Sequence, residues 1–314
     1  MPSFSVINYS LRPSKGIQRQ IVFDGIRALQ SGLDLEDAAY IGFGSIWFTD
    51  FVMAHKSLGC RKMVSIEAND IGYRRAVFNA PFVTVEVRHG YSYEVLPALY
   101  ADEALRSRPW IIWLDYDYEL NESVRQDIKS VIENAPANSV LLVTFNGVEM
   151  KYGQAADRPE RLREILGAVV PDDIAKRACR DERMQETLAD LTIDYLVAAA
   201  SEMSRPGGFV PGFRVIYQDG APMVTVGGVL PAKGAARVVA DIVAAETWPC
   251  KPARPIKAPH LTMREAAVLQ SQLPREAALQ RADVQALGFD LEADELEAFQ
   301  TYYRQYPAFA QILA

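Results

Sequence analysis

Ala39-Tyr40-Ile41-Gly42-Phe43-Gly44-Ser45-Ile46-Trp47-Phe48-Thr49-Asp50 reads as the end of a buried strand, a glycine turn and the start of a helix. Downstream, Met63-Val64-Ser65-Ile66-Glu67 is a second short apolar run that ends in a carboxylate. Strand, glycine turn, helix, strand, acid is the layout of a nucleotide-binding βαβ unit. Gly42 and Gly44 let the backbone turn sharply with no Cβ between it and a ligand, and the amides after the turn, Ser45 included, face that ligand. Glu67 stands 23 residues beyond Gly44, where a carboxylate can accept the hydroxyls of a ribose. A tight strand-to-helix turn in any α/β protein has the same two glycines. The strands that follow separate the two readings.

Working outward, the spacing predicts strands at Val83–Val87, Trp110–Leu114 and Ser139–Phe145 after those at Tyr40–Phe43 and Val64–Glu67. Helices are predicted at Ile17–Leu29, Trp47–Leu58, Ile71–Phe78, Tyr93–Leu99 and Glu122–Asn134. Trp110-Ile111-Ile112-Trp113-Leu114 is apolar throughout, as a strand covered on both faces must be. Strands alternating with helices imply an α/β fold, a doubly wound, mostly parallel Rossmann-like sheet. Phe213–Tyr217 and Met223–Gly228, joined by Asp219-Gly220, read as an antiparallel hairpin added to it. Ligands on such sheets bind beyond the carboxyl ends of the strands. Each predicted end carries polar or flexible residues: Gly42–Ser45, Glu67, His89–Gly90 with Tyr91, Asp115–Asp117 and Thr144–Asn146.

The flanks divide the chain into four parts. Residues 1–34 hold a polar segment and a helix, 35–246 the sheet domain, 247–260 a proline-rich extended linker and 261–314 a small helical region. Tyr302, Tyr303 and Tyr306 cluster in the last part, for packing on the main domain or for an interaction surface, with a protein partner or a homo-oligomer as the partner reading. Residues 1–30 carry Arg12, Lys15, Arg19 and Arg27 against Asp24 alone, so Arg12 and Lys15 are candidates to grip an anionic group, beside Tyr9 and Asn146 as substrate-side residues. The whole chain has a net charge of −7. That argues against a surface devoted to nucleic acid. Three scattered cysteines, with no CxxC and no His/Cys cluster, support neither a zinc site nor a disulfide frame. With no leader and no membrane-length apolar run, the expectation is a cytoplasmic protein without membrane contact.

In this order the features resemble a class I S-adenosylmethionine-dependent methyltransferase over roughly residues 35–150. Asn8-Tyr9-Ser10-Leu11-Arg12-Pro13-Ser14-Lys15 and Tyr40-Ile41-Gly42-Phe43-Gly44-Ser45 are similar to bacterial O-methyltransferases. The resemblance implies S-adenosylmethionine as cofactor, held by Gly42, Gly44, Ser45, Glu67, Gly90, Tyr91 and Asp115. It implies methyl transfer to an acceptor that is a small molecule, protein or nucleic acid, with an oxygen nucleophile preferred. Asp115, Asp117 and His89 are the candidates to remove a proton from it, and no resident metal is expected. The chain departs from the pattern in lacking a third glycine, an acid just before the first glycine, and an aspartate near Tyr91-Ser92. These departures motivate a second reading, a Rossmann-like binding or effector module without transfer chemistry.

Overall fold

The structure, a computed structural model, describes residues 12–307 of the 314-residue chain. Helix α1 (Pro13–Leu29) precedes β1 (Ala39–Gly42), α2 (Thr49–Leu58), β2 (Lys62–Glu67), α3 (Asp70–Asn79) and β3 (Val85–His89). Then come α4 (Ser92–Ala101), the short α5 (Glu103–Arg106), β4 (Trp110–Glu119), α6 (Glu122–Asn134) and β5 (Ser139–Asn146). Helices α7 (Arg158–Leu166) and α8 (Asp181–Glu202) lead to β6 (Val210–Gln218), β7 (Pro222–Leu230) and α9 (Ala236–Ala244). The last described elements are α10 (Met263–Ser271), α11 (Arg281–Ala286) and α12 (Ala293–Tyr302).

The seven strands form one sheet in the order β3-β2-β1-β4-β5-β7-β6. β1 to β5 run parallel, and β7 lies antiparallel between β5 and β6. This is the doubly wound sheet with an added hairpin that the strand spacing predicts. The progression reverses between β1 and β4, and the crevice at such a reversal is where α/β sheets bind ligands.

Alternate residues of the central strands feed two cores. Ile41, Ile112, Leu114, Leu141 and Val143 pack against α4, α6, α7 and α8. Tyr40, Ile111, Trp113, Val140 and Leu142 belong to a second core shared with buried residues of α1, α2, α9 and α10 to α12. Because both faces are covered, β5 is buried along its whole length. Each such apolar side chain contributes roughly 1.5–3 kcal/mol over its exposed state. Segments that the sequence suggests are separate share the second core. The proline-rich stretch lies along β6, where Ile256 N–H donates to the Ile216 carbonyl at 2.9 Å. In the C-terminal aromatic cluster Tyr306 is buried against Phe299, and its hydroxyl donates to the Pro259 carbonyl at 2.8 Å.

Three boundaries differ from the sequence reading in ways that shape the site. Helix α2 begins at Thr49 rather than Trp47, because Ser45 and Phe48 take left-handed backbone at φ of 51° and 50°. That conformation costs roughly 1–2 kcal/mol for each side chain with a Cβ. β3 starts at Val85 rather than Val83, whose side chain is exposed. β4 does not stop at Leu114; it runs on to Glu119, with its register to β5 shifting between Asp115 and Glu119. Among the described residues no helix is long and apolar enough to cross a membrane.

Candidate functional site

Beyond the carboxyl ends of β1, β2 and β4 lies a cleft of about 320 Å³. Its floor is the glycine turn. The Gly44 N–H donates to the buried Ser65 Oγ at 3.1 Å, which ties the turn to β2. A Cβ on Gly44 would stand 2.7 Å from the Phe48 ring and 2.7 Å from Ser65 Oγ, so only glycine fits there. Ser45 Oγ is buried and has no hydrogen-bond partner among the described residues. A native buried hydroxyl without a partner calls for an explanation.

Glu67 enters the cleft from the end of β2. Its Oε1 accepts the Asn69 N–H at 2.9 Å. Burial raises its carboxyl above the usual range, while the Asn69 and Ala68 amides and the nearby His89 pull it back. Beside it, the β3–α4 turn contributes Gly90, Tyr91 and Ser92. Gly90 holds φ of 142°, and its N–H donates to the Glu67 carbonyl at 3.1 Å, which joins this turn to β2.

β4 forms the opposite wall, and its alternation sends neighbouring side chains to opposite faces. Both oxygens of Asp115 accept from the Lys15 ammonium of α1, at 2.8 and 2.5 Å. Lys15 also donates to the Tyr217 hydroxyl at 3.0 Å and lies over the Trp113 and Tyr217 rings. One turn along α1, Arg19 Nε meets Asp50 Oδ1 at 2.5 Å, and both side chains are buried at the cleft. On the other face, Tyr116 and Ser92 both donate to Asp127 Oδ2, at 2.6 and 2.5 Å. Burial raises the Asp127 carboxyl, against the pull of these two donors. Burial, followed by the Asp127 charge, pushes the Tyr116 phenol well above its ordinary value and keeps it a donor. Tyr116 packs edge-on to Phe43 at 5.2 Å and against Tyr118 at 5.1 Å. Trp47, Tyr91 and Tyr118 stand part-exposed at the mouth.

Of the residues singled out from sequence, Gly44, Ser45, Glu67, Gly90, Tyr91, Asp115 and Asp117 line this one cleft. Gly42 lies below it at the end of β1, packed so closely that a Cβ would be 3.1 Å from the Trp113 carbonyl. His89 sits off the cleft lining, stacked on Tyr73 at 4.7 Å and paired with Asp70 at 3.1 Å. Asn146 also lies off it, with Oδ1 accepting the Val148 N–H at 2.9 Å. Lys15 is behind Asp115, Arg12 precedes α1 as its N-cap residue, and Tyr9 lies outside the described residues.

The sequence reading passed over Arg19, Asp50, Trp47, Ser92, Tyr116 and Tyr118, which also line the cleft, and Asp127 behind them. One signal for Arg19 was available. Lys15, Gln18 and Arg19 recur at helical spacing on the side of α1 that also carries Val22, Ile26 and Leu29, so that side had to be buried.

A family model described as "Putative O-methyltransferase" matches residues 7–314. A search of curated proteins gives no match. Among solved structures, Trm1 from Pyrococcus horikoshii in complex with S-adenosyl-L-methionine is similar at a TM-score of 0.50 and 11% identity, over 71% of this chain and 57% of that one. The chain thus spans little more than half the length of Trm1, and the likeness is one of fold. The O-methyltransferase from Bacillus cereus in complex with SAH is similar at 0.38 and 16% identity, over 66% of this chain and 80% of that one. A geranyl diphosphate methyltransferase in complex with GPP and sinefungin gives 0.39 and 10%, over 68% and 78%.

Proposed function

The chain belongs to the O-methyltransferase family whose model it matches, and from that premise we propose that it transfers the methyl group of S-adenosylmethionine to an oxygen nucleophile. The observation that carries the reading is the meeting of the Gly44 turn, Glu67 and the Gly90–Ser92 turn in one cleft beside the reversal point of the sheet. The residues present fit the cofactor. The turn at Gly44 has no room for a Cβ, and the buried Ser45 hydroxyl awaits a partner. When bound, the cofactor supplies a methyl group already activated by its sulfonium.

What remains for the protein is to bind, orient and take a proton. Glu67 accepts the ribose hydroxyls. Gly44 and Ser45 allow close approach of the ligand to the backbone, and Gly90 and Tyr91 border it beyond Glu67. Phe43 and Tyr116 give an apolar, water-excluding wall. The acceptor enters past Trp47 and Tyr118. Among the three proton acceptors considered from sequence, Asp117 is the preferred one. It lines the cleft and is more exposed than Asp115, whereas His89 lies off the cleft lining. The Asp117 carboxylate would take the hydroxyl proton of the acceptor. Asp115 then serves to bind and orient.

Calorimetry with S-adenosylhomocysteine tests the reading. Wild type is expected to bind in the micromolar range, and Glu67→Ala to bind about tenfold to a hundredfold more weakly. No binding by wild type, or equal binding by the variant, overturns it. The engagement of Asp115 by Lys15 favours the second reading, a binding module without transfer. Cofactor binding with no turnover across phenol, carboxylate and hydroxyl acceptors would select that one.

A further inference from the structure

The cleft carries an uneven distribution of charge. Its lining includes the carboxylates of Asp50, Glu67, Asp115 and Asp117. Among the described residues that line it, Arg19 is the only one with a cationic side chain. Arg19 is buried, and it arrives from α1, outside the βαβ unit that builds the glycine turn. It pairs with Asp50 through Nε, and a guanidinium carries further donors on its two terminal nitrogens.

A ligand whose ribose rests on Glu67 has two arms. In S-adenosylmethionine one arm is a flat, neutral base and the other a zwitterionic amino acid. The α-carboxylate of that second arm would be repelled by every carboxylate of the lining. It needs a fixed cation, and a guanidinium matches a carboxylate fork to fork. Asp50 fixes the Arg19 side chain in place, so little freedom is lost when the ligand arrives.

We propose that Arg19, carried into the cleft by α1, receives the α-carboxylate of the cofactor's amino-acid arm and makes the site selective for ligands that possess one. The assignment rests on the S-adenosylmethionine reading above. It makes α1 a working wall of the binding site in addition to a cover for the sheet.

Ligands that differ only in this arm provide the test. S-adenosylhomocysteine, its decarboxylated analogue and 5′-methylthioadenosine are titrated calorimetrically into wild type, Arg19→Lys and Arg19→Met. Wild type is expected to prefer S-adenosylhomocysteine over both truncated ligands. Arg19→Met is expected to shrink that preference about tenfold to a hundredfold while leaving 5′-methylthioadenosine affinity near wild type. Arg19→Lys falls between, since a point charge replaces the fork. Retained binding of 5′-methylthioadenosine shows that the variant is folded at the site. Equal loss for all three ligands, or an unchanged preference, overturns the proposal and leaves Arg19 with a structural role in which it pairs with Asp50. If Arg19→Met does not fold, wild type still decides. Decarboxylated S-adenosylhomocysteine bound as tightly as the parent overturns the proposal, and the expected weakening supports it. Wild type that binds none of the three would reject the cofactor reading itself, a different failure from binding all three without discrimination.

Discussion

Asp115 and Tyr116 are neighbours on β4, yet they belong to two different kinds of structure. Asp115 turns toward α1, where two ion pairs, Lys15–Asp115 and Arg19–Asp50, are set into the second core. Around them runs a chain of hydrogen bonds from Gln18 through Thr225 and Thr144 to the Trp113 indole. Tyr116 turns toward α6, where Asp127 is met by two hydroxyls and surrounded by the first core. One side of the strand satisfies a carboxylate with cations, the other with neutral donors. The lesson is that each buried charge at this rim has its own compensation, and that compensation differs in strength. Removing one partner of a buried ion pair strands a full charge, whereas removing one of two hydroxyls leaves the acceptor partly satisfied.

The sharpest way to break the comparison is Lys15→Met. It leaves Asp115 beside an apolar wall, and a loss of about 3–5 kcal/mol is expected in urea unfolding. Lys15→Met combined with Asp115→Leu should recover most of that loss, because no stranded charge remains. A double variant no more stable than the single one would show that Lys15 contributes by packing over Trp113 and Tyr217 and not by charge. Next in size is Gly44→Ala, which sits between the two sides. Its Cβ must displace the Phe48 ring or Ser65, at a cost of about 1–3 kcal/mol in thermal unfolding, with cofactor binding lost in calorimetry. Tyr116→Phe is smaller. It removes one of the two donors to Asp127 while keeping the ring against Phe43, and a loss of about 1–2 kcal/mol is expected. A loss as large as that of Lys15→Met would erase the distinction between the two sides.

The smallest effect is one of pH. Burial holds the folded-state pKa of Glu67 above its unfolded value of 4.5. The folded protein therefore binds this proton more readily than the unfolded chain does, so stability falls as pH rises from about 4.5 through the raised value. Glu67→Gln should remove that fall. The variant is then more stable than wild type near neutral pH, with the gain fading below about pH 4.5, while S-adenosylhomocysteine binding is weakened. Melting temperatures from pH 3 to pH 8 give the check.

Much of the platform was legible in the residues because its rules are local. β4 and β5 announce themselves as uninterrupted apolar runs, and the hairpin by Asp219-Gly220. The Gly44 turn and Glu67 were legible because their spacing is set by one βαβ unit. The charged side of the rim was not. Lys15 and Asp115 are 100 residues apart in the chain, and nothing local distinguishes a basic residue bound for a core from one facing water. The extension of β4 was hidden for another reason. Asp115-Tyr116-Asp117-Tyr118 has the polar look of a loop, although its strict alternation has the period of a strand. His89 shows the reverse limit. It stands at a strand end, as the rule asks, but packs on Tyr73 away from the cleft lining.

The hairpin turn reaches back across the molecule, since Asp219 accepts the amide hydrogens of Ser14 and Lys15 at 2.8 and 2.9 Å. Helix α1 therefore leaves the ribosome long before the residue that anchors its first turn, which lies 205 positions downstream of Ser14. During synthesis the cleft has its glycine floor early and its Arg19 wall late. A nascent chain stopped after β5 would carry an unfinished pocket, and ligand capture should begin only when the hairpin is in place.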